Sequence, residues 1–231
     1  AVNNMFPAIH ITLEDVQSSW AGLRPLIHEE GKSASELSRK DEIFVSDTEL
    51  ISIAGGKLTG YRKMAERIVD LVAKKYKRRF DKEFEEIKTK EIILSGGDFA
   101  DSSEVNSYVD AIHNRINEVD FDRKYAEYLI YNYGKQTDII LQKFDDLMDE
   151  NQAEKMIKAE VWFSIENEMT CTPTDFFMRR TGRLFFDTQS VHLYKEFVLN
   201  EFKNYFSWDE KTAKKQQQEL DEKLTAVITF N

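Results

Sequence analysis

Ser52-Ile53-Ala54-Gly55-Gly56-Lys57-Leu58-Thr59-Gly60-Tyr61 is the stretch on which the fold of this chain turns. A β-branched, apolar approach from Leu50 to Ala54 ends in two glycines and a lysine. Beyond Lys57, Met64, Ile68, Leu71 and Val72 recur at helical spacing, so the pattern predicts a strand, a tight turn and a helix running to about Tyr76. Glycines let the backbone turn and approach a ligand closely. The unpaired N–H groups and positive end of the helix that follows favour anionic or electron-rich atoms, and Lys57 adds a full charge. The loop is not a nucleoside-triphosphate loop. Ile51 stands where G-x-x-x-x-G-K-[ST] needs its first glycine, and Leu58 where it needs Ser or Thr. The same residues also fit an ordinary strand-to-helix turn with a surface lysine.

Upstream, Glu42 to Ser46 and Leu50 to Ala54 read as two short strands, with Ser46-Asp47-Thr48-Glu49 as a hairpin turn. His28 to Asp41 is polar and reads as a loop. Trp20 to Ile27 reads as extended, because the residue before Pro25 is pushed to the β region. Arg24 lies on that otherwise apolar segment. A guanidinium buried there needs an anion, and its planar fork suits carboxylate or phosphate; an arginine at a strand end reaching solvent fits equally. Ile11 to Val16 offers a short helical start. Three or four short strands and one long helix make a sheet with much of its edge uncovered. This part therefore reads as a piece of a larger sheet whose other strands lie upstream of residue 1.

Downstream, the helix from Lys57 ends in Lys74-Lys75-Tyr76-Lys77-Arg78-Arg79, a run suited to a helix C-terminus or to anionic lipid headgroups. Glu91 to Gly97 reads as a connector, and the domain boundary is placed at about residue 98. The remainder is poor in Gly and Pro and reads as helix. Ser102-Ser103-Glu104, Asp122 and Thr137 are read as successive helix starts. Glu154 to Glu168 follows, then a start at Thr172-Pro173, and helices at about Ser190 to Phe206 and Asp209 to Val227. The expected fold class is α+β, mainly α. Residues 1–97 form an incomplete remnant of a ligand-binding domain, a few short strands plus a long helix, and residues 98–231 an all-α C-terminal domain.

Composition narrows the function. In 231 residues, 41% are hydrophobic and 32% charged, as in globular domains. A net charge of -10 argues against general nucleic-acid binding. The single cysteine, Cys171, has no internal partner and points to a reducing compartment. No apolar run approaches the ~18 residues of a membrane span. The start carries no signal-peptide pattern and no Met, which suggests an excised piece. His10, His28, His113 and His192 lack metal-ligand spacing, and no serine or cysteine elbow accompanies them, so metal and nucleophilic chemistry have no support. Phe176, Phe177, Phe185 and Phe186 bracket Arg179, Arg180 and Arg183, either as an interface in which arginines meet acids or as core aromatics beside surface charges.

Ser18-Ser19-Trp20-Ala21-Gly22-Leu23-Arg24-Pro25-Leu26, followed by Gly55-Gly56-Lys57-Leu58-Thr59-Gly60-Tyr61-Arg62, resembles the flavin-dependent glycerol-3-phosphate dehydrogenases, whose pattern is close to AGLRPL followed by GGKLTTYR. Thr172-Pro173-Thr174-Asp175-Phe176-Phe177-Met178-Arg179-Arg180-Thr181 is similar to that family's TDFLxRRT segment. Order and spacing agree over nearly the whole chain. The resemblance implies the C-terminal portion of a longer enzyme that oxidises sn-glycerol 3-phosphate to dihydroxyacetone phosphate, with hydride passing to FAD and electrons to a quinone. It implies a cytoplasmic enzyme peripheral to the inner face of the cell membrane; it leaves a homo-oligomer open. The G-x-G-x-x-G fingerprint for the FAD pyrophosphate is absent from this sequence, as is an assignable catalytic base; the resemblance places both upstream. It puts Arg24 and Lys57 in the substrate pocket, as catalytic residues, and Gly56, Lys57, Leu58 and Thr59 beside the flavin ring. Gly60 departs from the commoner threonine, so it receives no binding role. An oxidase using oxygen instead of quinone is an alternative, as is a helical protein-interaction module. The isolated chain is expected to be colourless and inactive.

Overall fold

The computed structural model describes residues 2–23, 27, 31, 41–148 and 151–230. The chain divides into two compact units, one of residues 21–93 and one of residues 1–20 with 94–231. The separation expected near residue 98 thus falls between Ile93 and Leu94, and the first twenty residues belong with the helices.

The helical unit opens with α1 (Val2–Met5) and a 3-10 turn at Leu13–Asp15, where a helical start is expected. The other unit begins its regular structure with β1 (Asp41–Val45) paired antiparallel to β2 (Ile51–Gly55), with Ile43 opposite Ile53. The turn between them is closed by Ser46, whose N–H donates to the Leu50 carbonyl at 3.0 Å and whose Oγ accepts from the Leu50 N–H at 3.1 Å. Three or four strands are expected; the described residues contain two. Residues 20–23 take no regular structure, and 24–26 lie outside the described residues, as does most of the expected loop at 28–41.

Helix α2 (Tyr61–Phe80) is one turn longer at its end than the periodicity suggests. Lys77, Arg78 and Arg79 in its last turn complement the helix dipole, and Asp81, in the left-handed region, closes it with its N–H on the Lys77 carbonyl. Ion pairs of Arg67 with Asp41 and of Lys75 with Glu49 (3.3 Å) tie α2 to the hairpin. No residue of α2 is fully buried.

In the helical unit, α3 (Ser102–Ile116), α4 (Arg123–Tyr133) and α5 (Thr137–Asp146) are followed by α6 (Gln152–Glu168). A π-helical turn at Asp175–Arg180 leads to α7 (Arg183–Phe186), then α8 (Thr188–Phe206) and α9 (Glu210–Ile228). Acidic or amide caps fix the starts. Asp101, not Ser102, caps α3, accepting from the N–H groups of Ser103 (2.8 Å) and Glu104 (3.0 Å). Asp122 caps α4 as expected, Asn151 caps α6 and Asp209 caps α9. Thr137 is no cap: a 3-10 turn leads straight into α5, and its buried hydroxyl donates to the Leu129 carbonyl instead.

Two apolar clusters fill this unit, and α6 serves both. Met156, Ala159 and Phe163 join Val109, Ile112, Ile116, Leu129 and Ile140, while Ile157 and Val161 join Phe176, Phe177, Val198, Phe202 and Leu220. The mainly α fold class is borne out. The connector into the unit is fixed by two glycines back to back. Gly96 (φ +79°) accepts from the Lys135 N–H at 2.9 Å, and Gly134 (φ +56°) lies so close to the Gly96 carbonyl that a Cβ there would overlap it.

Candidate functional site

The glycine turn takes the shape its sequence predicts, with one refinement. β2 delivers Gly55 at φ +76° and Gly56 at φ +86°; Lys57 is extended, and Leu58–Gly60 form a 3-10 turn that runs into α2. The α-helix proper thus begins at Tyr61, not Lys57. The backbone favours glycine at position 56, and the space around it is tight. Its φ lies in the left-handed region, and a Cβ would sit 2.6 Å from Met64 Sδ and 3.3 Å from the Asp41 Cβ. At Gly60, by contrast, a Cβ meets nothing within 4 Å, so the missing threonine of the family pattern has room.

A cleft of about 670 Å³ opens on this turn, lined by Ile53, Gly56, Lys57, Leu58, Tyr61 and Ile68 among others. Its wall is largely apolar, with one cation at the rim. Lys57 is exposed and makes no ion pair among the described residues; Leu58 is 90% exposed. The first N–H groups of such a turn have no acceptor inside it. Apolar wall, open N–H groups and an ammonium suit the edge of a flat, electron-rich ring or an anionic substituent. Gly56, Lys57, Leu58 and Thr59 are therefore brought together on one turn. Arg24 lies outside the described residues.

The helical unit holds a second polar centre that the sequence reading did not single out. Glu160 on α6 is wholly buried and accepts from four donors: Tyr128 Oη at 2.6 Å, Arg183 Nη2 at 2.8 Å, Tyr125 Oη at 3.0 Å and Tyr133 Oη at 3.1 Å. The Arg183 side chain is 7% exposed and its guanidinium stands 5.0 Å from the Tyr128 ring centroid. Burial works against the charge on Arg183, but the Glu160 carboxylate, with Tyr128 and Tyr125, more than offsets it and holds the guanidinium protonated well beyond its ordinary range. Burial first, and the Glu160 charge second, push the hydroxyls of Tyr125, Tyr128 and Tyr133 well above their usual 10. The centre is a charge-balanced knot in which Glu160 spends its oxygens on donors of the same chain, and its role is structural. Its signal in the sequence is Glu160 itself, four residues from Met156 on the buried face of an apolar helix.

The aromatic and arginine segment divides the same way. Phe176 and Phe177 are core. Arg179 pairs with Asp175, Arg180 donates to the Glu168 carbonyl, and Arg183 pairs with Glu160, so all three arginines find acids or carbonyls within the chain. Phe186 alone of the four phenylalanines is largely exposed, at 74%.

Fold and turn define a class: a mainly α domain and, in the same chain, a hairpin–helix unit whose glycine turn suits an electron-rich or anionic ligand. Residues 87–213 match the model of the C-terminal domain of alpha-glycerophosphate oxidase, and the chain belongs to that family. It is 48% identical over 227 residues to the aerobic glycerol-3-phosphate dehydrogenase of Bacillus subtilis, covering 97% of this chain and 41% of that protein. It is 38% identical over 229 residues to the protein of the same name from Staphylococcus haemolyticus, covering 99% of this chain and 40% of the relative. The crystal structure of the glycerol-3-phosphate dehydrogenase from Bacillus halodurans complexed with FAD superimposes with a TM-score of 0.83 at 39% identity, over all of this chain and 44% of that one. The chain therefore spans well under half the length of these relatives.

Proposed function

We propose that this chain works as the C-terminal portion of an FAD-dependent dehydrogenase that oxidises sn-glycerol 3-phosphate to dihydroxyacetone phosphate. The observation that carries the reading is the Gly56 turn. Its backbone takes a left-handed form that favours glycine, and it opens on an apolar cleft with a free lysine at the rim. That cradle suits the edge of a flavin. FAD, when bound, supplies the acceptor for the hydride that leaves the substrate's C2. Gly56, Leu58 and Thr59 hold the ring's edge through backbone N–H groups and close approach. Lys57 contributes positive potential where negative charge grows during reduction. Arg24 grips the anionic part of the substrate through its planar fork. The base that takes the hydroxyl proton is not assigned to any histidine of this chain.

Electrons pass on to a quinone, with the enzyme cytoplasmic and peripheral to the inner face of the membrane. No helix among the described residues is long and apolar enough to cross a membrane. A second reading has one observation in its favour: the matching family model is named for an oxidase, which would hand electrons to oxygen. Relatives at up to 48% identity bear the dehydrogenase name, which favours the first.

The test is an anaerobic absorbance spectrum of the complete protein before and after sn-glycerol 3-phosphate. Bleaching of an oxidised-flavin band is the expected result. A flavin band untouched by the substrate rejects the substrate, and a folded, cofactor-supplied protein without such a band rejects the flavin. Aerobic turnover with a dye and without peroxide then separates dehydrogenase from oxidase.

A further inference from the structure

The Gly56 turn is braced by the helix it leads into. Side chains of a helix tilt toward its N-terminus, so Met64, at the end of the first turn of α2, reaches back over the residues that precede the helix. Its thioether stops against Gly56. Sδ and Cε lie 2.6 and 2.8 Å from where a Cβ at Gly56 would stand, and the Asp41 Cβ, from β1, lies 3.3 Å from the same point. Asp41 faces Gly55 across the β1–β2 ladder and pairs with Arg67, one turn along α2 from Met64. Gly56 is thus packed by both strand and helix, and an ion pair ties the two elements together. Met64 is half-buried and lines the same cleft as Lys57 and Leu58. Its unbranched stem and polarizable sulfur let it fill the uneven space against a turn.

The first N–H groups of the 3-10 turn at Leu58–Gly60 have no acceptor inside it, and their direction follows from the dihedrals of Gly55 and Gly56. Two successive glycines have the most backbone freedom to lose, so a turn built on them needs a contact that fixes it. We propose that Met64 is a positioning residue: its thioether, seated on Gly56, fixes the glycine turn and so aims the turn's N–H groups and Lys57 at the edge of the flavin. This rests on the role given to the Gly56 turn above. Met64 touches neither substrate nor flavin on this reading; it acts through Gly56. A turn fixed before the flavin arrives binds it without an ordering cost. Donors fixed in place also stabilise the negative charge that grows on the ring during reduction more than they stabilise the neutral ring. Loss of the brace therefore weakens the hold on both redox states, and on the reduced one more.

The test uses the complete protein, freed of its cofactor and titrated with FAD, as wild type, M64A, the conservative M64L, G56A and the double variant G56A/M64A. Flavin fluorescence reads the FAD affinity, and equilibration with a redox dye reads the two-electron potential of the bound flavin. M64A should raise the FAD Kd by about tenfold, since small misplacements of positioned groups are costly. It should also make the potential more negative, by about 30 mV if the reduced ring loses a further tenfold in affinity. M64L should stay within about twofold of wild type. In G56A the added methyl displaces the thioether, so the double variant should bind FAD no more weakly than G56A alone. M64A with wild-type Kd and potential overturns the proposal. Losses that add in the double variant also overturn it, because Met64 then acts elsewhere than on Gly56. If M64A does not fold, M64V decides: it must both raise the Kd and lower the potential, and failing either overturns the proposal. A folded wild-type protein that binds no FAD defeats the flavin reading above and this proposal with it, whereas wild-type binding with an unaffected M64A defeats the brace alone.

Discussion

Lys57 and Glu160 are both polar side chains, yet their surroundings give them opposite work. Lys57 stands free at the rim of a cleft, so its charge is available to a ligand. In the complete protein Lys57→Ala should lower kcat/KM by something on the order of 10²-fold, as removal of one positioned charge does. Retention of the flavin band in the variant would show that the loss is catalytic; unaltered kcat/KM would remove Lys57 from the site. Glu160 is spent on its own four donors. Glu160→Ala leaves the Arg183 cation buried without its counter-ion and should cost about 3–5 kcal/mol, read as a lowered Tm of the helical unit. The paired change of Glu160→Leu with Arg183→Met should cost much less, because it removes both charges together. A double variant as damaged as the single one would mean that packing, not charge, holds this centre. Neither residue's role was equally legible. Lys57 sits in a motif of contiguous residues, whereas the Glu160 knot assembles from α4, α6 and α7, and no local pattern links Tyr125 to Arg183.

Among elements, helices α3, α4, α6, α8 and α9 are started by short acceptors at N-cap positions. Asp122 accepts from the Tyr125 N–H at 3.0 Å, and Asp101 accepts from two N–H groups of α3. Asp122→Ala should lower stability by about 1 kcal/mol, measured by urea unfolding with an unchanged m-value. A loss well above this range would mean that Asp122 does more than cap. The caps also show where reading by sequence slips. Asp101 and Ser102 are both good caps by type, and only the backbone at Asp101, extended at φ -161°, decides between them. Thr137 has the right chemistry but sits in a turn that is already helical, so its hydroxyl finds Leu129 instead. α2 runs past Tyr76 because Phe80, one turn on, packs its ring against Tyr76 at 4.5 Å, and the cations Lys77, Arg78 and Arg79 between them suit a helix C-terminus.

For the molecule as a whole, the buried tyrosines make alkaline pH the sensitive direction. Their folded hydroxyls titrate well above 10, whereas in the unfolded chain they ionise near 10. Below pH 10 both states carry the proton and the full stability is present. Above it the unfolded state binds fewer protons than the folded one, so stability falls as pH rises. The helical unit should therefore unfold in strong alkali, with tyrosinate absorbance from the buried rings appearing together with the loss of helical circular dichroism. Absorbance from all nine tyrosines rising smoothly near pH 10, with helicity intact, would contradict the buried network.

The sequence by itself determined the elements and the turn. Apolar periodicity placed the helices because an amphipathic face must be buried, and Gly55-Gly56-Lys57 announced a turn because only glycine adopts those dihedrals cheaply. The tertiary structure alone decided three other things. It paired Glu160 with Arg183, because a buried charge takes its partner from whichever helix crosses it. It joined residues 1–20 to the helices, because Ser19 finds Val227 and Trp20 finds Phe185 across more than a hundred and sixty residues. And it brought Gly96 against Gly134, where two backbones meet at a distance no side chain would permit. Each is a contact between distant parts of the chain, and spacing along a sequence carries no information about which distant parts will meet.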